Sequence, residues 1–212
     1  MITTIYLMRH SKKIEYRIND KCADVLQLIN EKEILSVEGE KRAEFYANLD
    51  ELQNINHIIS SNYVRTMSTA KYIAENNKID LHINEEFDER KFGIDNCEEL
   101  PGDFYERQFY DDNYKIKNGE CQREVRERMY NAIIRVLNNH KGQRTVILSH
   151  STAIIYLLRK WCNIEKNKNF NFNGIDFFDG KFQAPELFKL EFGKNNKLLS
   201  IENIRPEGID YI

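Results

Sequence analysis

Hydrophobic and polar positions change period several times along this chain, and the changes divide it into strands and helices. Residues 2–8 (ITTIYLM) are a short apolar, β-branched run that predicts a buried strand. Ser36 stands before VEGEKRAEFYANLDEL as a helix N-cap, with Val37, Ala43, Tyr46, Ala47 and Leu49 as the apolar stripe. HIIS (57–60) predicts a second strand, residues 63–75 a second helix and LHI (81–83) a third strand. Residues 85–119 lack clean periodicity. They hold Gly93, Pro101, Gly102 and Gly119 among many aromatic and charged residues, the composition of a working loop or an inserted cap. A long helix follows at about 121–139, with Val125, Met129, Ala132, Ile133, Val136 and Leu137 on one face. TVILS (145–149) predicts a strand and TAIIYLLRKW (152–161) an apolar helix. LFKLEF (187–192) and LLSIENI (198–204), joined by a turn over Gly193–Asn196, predict a hairpin.

Strands alternating with helices predict a three-layer α/β/α sandwich with a mostly parallel central sheet. The expected organisation is one domain over residues 1–212, with 85–119 as a small cap insertion. In such sheets ligands collect beyond the carboxyl ends of the strands. Arg9-His10, the Ser61–Arg65 segment and His150 each follow a predicted strand directly, so three distant segments point at one edge of the sheet.

Composition narrows the partners. With 212 residues, 41% of them hydrophobic, the chain can bury one sizeable core. Its 31 basic and 34 acidic residues leave a net charge of -3, which gives no case for nucleic-acid binding but allows a local basic pocket for an anion. Cys22, Cys97, Cys121 and Cys162 never fall in a CxxC pair and read as reduced thiols. His57, His82 and His140 are scattered without an aspartate cluster, so neither metal nor cofactor is expected. MITTIYLMRHSKK lacks the basic leader and apolar core of a secretory signal, and no apolar run approaches the ~18 residues that span a bilayer. A cytoplasmic protein without a membrane partner is expected, and its oligomeric state is unreadable.

The candidate chemistry lies at the strand ends. A neutral imidazole attacks phosphorus when its other nitrogen is oriented by a hydrogen bond. Arginine offers phosphate a planar fork of donors. SSNYVRTMSTA (60–70) runs from a strand end into a helix whose first N–H groups can face an anion. Taken singly, the Arg-His pair and Arg65 are compatible with surface roles, His150 with a satisfied core histidine, and Thr66 and Thr69 with helix-backbone bonding. Two histidines and two arginines on one edge together suit the charge of roughly -1.5 to -2 on a phosphomonoester. Other phosphate chemistries fail on the string: there is no GxxxxGK[ST], no cysteine with arginine six positions on, and only one His-x-Thr, at His150–Thr152.

These motifs resemble the histidine phosphatase superfamily, the phosphoglycerate-mutase-like proteins. IYLMRHS (5–11) is similar to its strand and Arg-His-Gly signature, and LSVEGEKRA (35–43) to its Leu-Thr-x-x-Gly helix start. SSNYVRTMSTA is similar to its Ser-x-x-x-Arg-Thr-x-x-Thr-Ala segment, through Ser61, Arg65, Thr66, Thr69 and Ala70. FDERKFG (87–93) resembles the stretch bearing the acidic proton donor, GECQREVRER (119–128) the Gly-Glu-Ser helix start and TVILSHS (145–151) the Val-Ser-His-Gly strand end. Six matches fall in the family's order.

The resemblance implies a phosphomonoester hydrolase that needs no metal and works on a small-molecule substrate. His10 becomes phosphohistidine, Arg9, Arg65 and His150 hold the phosphoryl oxygens, and Glu89 donates a proton to the leaving oxygen. A phosphoglycerate-type mutase and a catalytically weak member that only binds phosphorylated ligands are the alternatives. Apart from that family match, Glu89 is a carboxylate among Asp88, Arg90 and Lys91. Ser11 and Ser151 replace the glycines that follow the family's two histidines, and the Glu-Thr and Trp-Asn after its first motif are absent here. Ser11, Ser151, Arg17 and Lys12 are therefore candidates for further phosphate or substrate contacts. Arg90, Lys91, Phe92, Phe104, Tyr105, Arg107, Phe109 and Tyr110 either line the entrance or pack the cap.

Overall fold

Residues Ile5 to Met8 are entirely buried, and they alternate between two cores: Ile5 and Leu7 belong to one, Tyr6 and Met8 to the other. A strand apolar on both faces requires a cover on each, and the chain supplies helices above and below it. The computed structural model describes residues 1–15, 26–95 and 97–208.

In chain order the elements are β1 (Thr3–Arg9), α1 (Leu26–Lys32), α2 (Val37–Ala47), β2 (His57–Ser60), α3 (Val64–Asn77) and β3 (Leu81–Ile83). Then come α4 (Phe104–Tyr110), α5 (Gln122–Asn139), β4 (Arg144–Ser149) and α6 (Ser151–Leu158). The last four are β5 (Phe170–Phe172), β6 (Ile175–Phe178), β7 (Glu186–Phe192) and β8 (Leu198–Ile204). Six strands form one sheet in the order β3-β2-β4-β1-β7-β8, and β5 pairs with β6 apart from it. The four strands from β3 to β1 are parallel, whereas β7 and β8 add an antiparallel edge.

Tyr46 and Ala47 of α2 and Ala70 and Ile73 of α3 pack with Tyr6, Met8, Ile58, Val146 and Leu148 on one face. On the other, Val125, Met129 and Ile133 of α5 and Ile154 and Leu157 of α6 pack with Ile5, Leu7, Ile147 and Phe188. The α/β sandwich with a mostly parallel sheet is therefore as the periodicity indicated. The helix that begins after Ser36 stops at Ala47, and a separate 3-10 turn covers Asp50–Leu52. The apolar helix before Trp161 ends at Leu158. Elements α1, α4, β5 and β6 have no counterpart in the periodicity reading.

The stretch 85–119 is pinched at its base. Gly93 has φ +76°, and a Cβ there would lie 1.9 Å from the Gly119 nitrogen, so the two strands of the neck meet backbone to backbone. Glu120 N–H donates to the Lys91 carbonyl at 2.9 Å, and Arg128 clamps Glu120 from α5. Within the stretch the buried Arg90 guanidinium lies 3.8 Å from the Phe92 ring centre and 5.0 Å from that of Phe104. Arg90, Phe92 and Phe104 thus pack against one another within residues 85–119, a cation–π arrangement suited to a desolvated arginine. Among the described residues no helix is long and apolar enough to cross a membrane.

Candidate active site

The register of the parallel strands assembles the site. Arg9 of β1 stands opposite Ser149 of β4, and His10 N–H continues the ladder to the Ser149 carbonyl at 3.1 Å. His10 and His150, one residue further along, must emerge side by side, and their ring centres are 5.3 Å apart. On the other side of β4, Ser60 faces Leu148 and Ser61 N–H donates to the Leu148 carbonyl. That places the Ser61 hydroxyl 2.9 Å from His150 Nε2.

Hydrogen-bond partners fix both ring tautomers. His10 Nδ1 is 2.7 Å from the Ser11 carbonyl, which can only accept, so Nδ1 carries the proton and Nε2 keeps its lone pair. Arg65, in the first turn of α3, donates from Nη2 to His150 Nδ1 at 3.0 Å. His150 therefore holds its proton on Nε2 and donates it to Ser61. Both imidazoles are pushed well below the usual histidine range, chiefly by burial and next by the Arg65 charge. They are neutral at physiological pH.

Arg9 donates through Nη1 to the carbonyls of Gln183 (2.9 Å) and Phe182 (3.3 Å), so the loop before β7 holds it. Burial works against its charge, and the carboxylates of Glu89 and Glu186 favour it. Arg65 also donates to the Asn30 carbonyl and forms an ion pair with Glu33 at 3.2 Å. Glu89 sits at the start of α6. Its Oε1 accepts from the N–H of Ala153 (3.0 Å) and of Arg90 (2.9 Å), and its Oε2 from that of Thr152 (3.4 Å). It thus caps a helix whose own N-cap residue, His150, makes no side-chain cap.

The chain after His10 is held from below. Ser11 N–H donates to Thr69 Oγ1 (2.9 Å), and the Ser11 hydroxyl donates to the Gly39 carbonyl (2.6 Å). A Cβ at Gly39 would lie 1.9 Å from the Lys12 carbonyl oxygen, so only glycine lets α2 approach this closely. The serine in place of glycine thus directs its hydroxyl into the α2 contact, although the residue is part of the cavity lining. Ser151 opens α6 and is half-buried. Arg17 lies outside the described residues, as do Tyr16 and Cys22.

A cavity of ≈ 440 Å³ opens over Arg9, His10, Ser11, Lys12, Lys13 and Arg42, with Glu15, Glu38 and the 182–184 loop on its rim. Arg65 and His150 lie behind this cavity rather than on its wall. Lys12 and Arg42 both pair with Glu38. Among the described residues no group of three or more His, Cys, Asp or Glu side chains is arranged to hold a metal ion.

Sequence reasoning missed two acidic groups. Asp88, 3% exposed, accepts from Asn62 N–H at 3.0 Å and from the Ser61 hydroxyl, and burial pushes its carboxyl up to about 6. Its place beside Glu89 in FDERKFG was the available signal. Glu33, in an unpatterned charged stretch, gave none.

Fold and site together define an α/β protein with paired imidazoles and guanidinium groups at the carboxyl ends of its parallel strands. The chain belongs to the histidine phosphatase superfamily (branch 1), whose family pattern it matches over residues 5–177. It is 29% identical over 162 residues to a protein named probable phosphoglycerate mutase GpmB of Cronobacter sakazakii, an overlap of 71% of this chain and 70% of that one. Among solved structures it is similar to the mycobacterial glucosyl-3-phosphoglycerate phosphatase, with a TM-score of 0.70 at 14% identity over 96% of this chain and 97% of that one. A phosphoserine phosphatase mutant from Entamoeba histolytica matches with a TM-score of 0.65 at 18% identity, over 94% and 96% of the two chains.

Proposed function

We propose that this chain is a phosphomonoester hydrolase that works through a phosphohistidine on His10 and needs no metal. The observation that carries the reading is the His10 ring: neutral, its Nδ1–H fixed on the Ser11 carbonyl, with Nε2 left as a lone pair beside two guanidinium groups. Nε2 attacks phosphorus, the P–O bond to the alcohol breaks, and Glu89 supplies the proton that the leaving oxygen takes up. A water then attacks the phosphohistidine, giving its proton to Glu89 and releasing inorganic phosphate and free His10. Arg9, Arg65 and His150 bind the non-bridging oxygens, which requires them to exchange partners they hold in the unliganded site. The partner is a small-molecule phosphomonoester, with Lys12 and the cavity rim meeting its alcohol part.

The test is hydrolysis of p-nitrophenyl phosphate by purified protein in the presence of a chelator, with His10→Ala as control. Protein given a radioactive phosphoester and quenched in alkaline denaturant should carry acid-labile, base-stable phosphate on His10. Turnover that survives in His10→Ala, or absence of any label, would end the reading. The name of the 29% identical relative favours one competitor, a mutase that returns the phosphoryl group to a sugar-acid acceptor. Primer-dependent interconversion of phosphoglycerates faster than their hydrolysis would decide for it.

A further inference from the structure

Glu33 forms an ion pair with Arg65 at 3.2 Å, and the two side chains are 13% and 4% exposed. The same carboxylate pairs with Lys13, which lines the cavity beside His10. Arg65 Nη1 donates to the Asn30 carbonyl and Nη2 to His150 Nδ1, and among the described residues Glu33 Oε2 accepts no hydrogen bond, so the carboxylate offsets the guanidinium charge on which a phosphate would also draw. Its segment is anchored. Ile14 N–H donates to the Ile34 carbonyl at 3.0 Å, and Gln27 donates to the Tyr63 hydroxyl at 2.7 Å. Tyr63 in turn packs 4.6 Å from the His150 ring centre.

We propose that Glu33 sets the phosphate affinity of this site, as an internal carboxylate that competes with phosphoryl groups for the charge of Arg65 and Lys13. This rests on the hydrolase reading above and deepens it. A dianion that binds must either displace the carboxylate or accept a like charge beside it, so substrate and product phosphate are both held weakly. When inorganic phosphate forms, Glu33 reclaims Arg65 and hastens its departure. The cost is a higher KM, and the gain is low product inhibition.

The experiment compares wild type with Glu33→Gln and the shorter Glu33→Asp. It measures KM and kcat for p-nitrophenyl phosphate, the inhibition constant of inorganic phosphate, and phosphate binding by calorimetry without turnover. Glu33→Gln should lower KM, inhibition constant and dissociation constant together by about tenfold, within the usual range for coupled sites, while kcat moves little or falls. Glu33→Asp should lie between. Values unchanged or raised in a folded Glu33→Gln would overturn the proposal and make the glutamate a support for Arg65. If neither form hydrolyses ester but Glu33→Gln binds phosphate more tightly, the hydrolase reading falls and the competition stands. If neither form binds phosphate, both fall.

Discussion

Asp88 shows how much one buried carboxyl can do here. Its ordinary value of 3.8 rises to about 6 through burial, against the opposing effect of its bonds to Asn62 and Ser61. In the unfolded chain it ionises near 3.8, so between about pH 4 and about pH 6 the folded state binds more protons and loses stability as pH rises. The full cost, about 3 kcal/mol, is present above pH 6. Asp88→Asn removes it while keeping an acceptor for Asn62. The stability of the variant relative to wild type should grow by about that amount between about pH 4 and about pH 7, read from urea midpoints. A gap that stays constant would show that the carboxyl is not strained by ionisation. Glu89 offers a second contrast at this scale. Glu89→Gln retains an acceptor for the α6 N–H groups, whereas Glu89→Ala removes it and should cost about 1 kcal/mol more in stability. Both should lower kcat by about a hundredfold on alkyl phosphates and less on p-nitrophenyl phosphate, whose phenolate leaves without a proton. Equal loss on both substrates would remove the proton-donor role.

At the scale of elements, what could be read from the chain was what periodicity and capping encode. Ser36 caps α2 through Gly39 N–H at 3.0 Å, and the strands and long helix that carry the site follow their apolar patterns. The hairpin of β5 and β6 went unread although Asn173-Gly174 marks its turn: both residues have positive φ, 52° and 87°, as a mirror-image two-residue turn demands. The alternation is present in Phe170-Asn171-Phe172 and Ile175-Asp176-Phe177, but strands of three and four residues offer too few periods to stand out. The tail hairpin was legible as a pair, but its seat against β1 was not, because antiparallel addition to one edge of a parallel sheet depends on contacts between distant segments. The same limit applies to α1 and Glu33. LQLINEKEI has the look of a solvated charged stretch until Arg65 and Tyr63 are placed beneath it. Conversely, five of the six family motifs are tied to a strand end or a helix start, where periodicity and capping already mark the chain, and FDERKFG alone lies in irregular chain.

For the molecule as a whole, the two central histidines link site and stability. Both are neutral in the folded state and ionise near the usual value of 6.5 once unfolded. Below about pH 6.5 the unfolded chain therefore gains protons that the folded one refuses, and stability falls by about 1.4 kcal/mol per pH unit for each ring. Asp88 acts in the opposite sense over part of that range, so the clean comparison is between variants. His10→Asn should lessen the acid-side slope of unfolding free energy by about 1.4 kcal/mol per pH unit. An unaltered slope would mean that the ring titrates normally in the native protein.

The pairing of Arg9 with Ser149 has a wider meaning for how such a protein can diverge. Adjacent strands are about 4.8 Å apart whatever their side chains, so the gap between the His10 and His150 rings is dictated by main-chain geometry. Replacements in the cavity lining or in residues 85–119 leave that spacing alone. Gaining or losing a single residue in β4 would rotate His150 to the far side of the sheet and dismantle the site at a stroke.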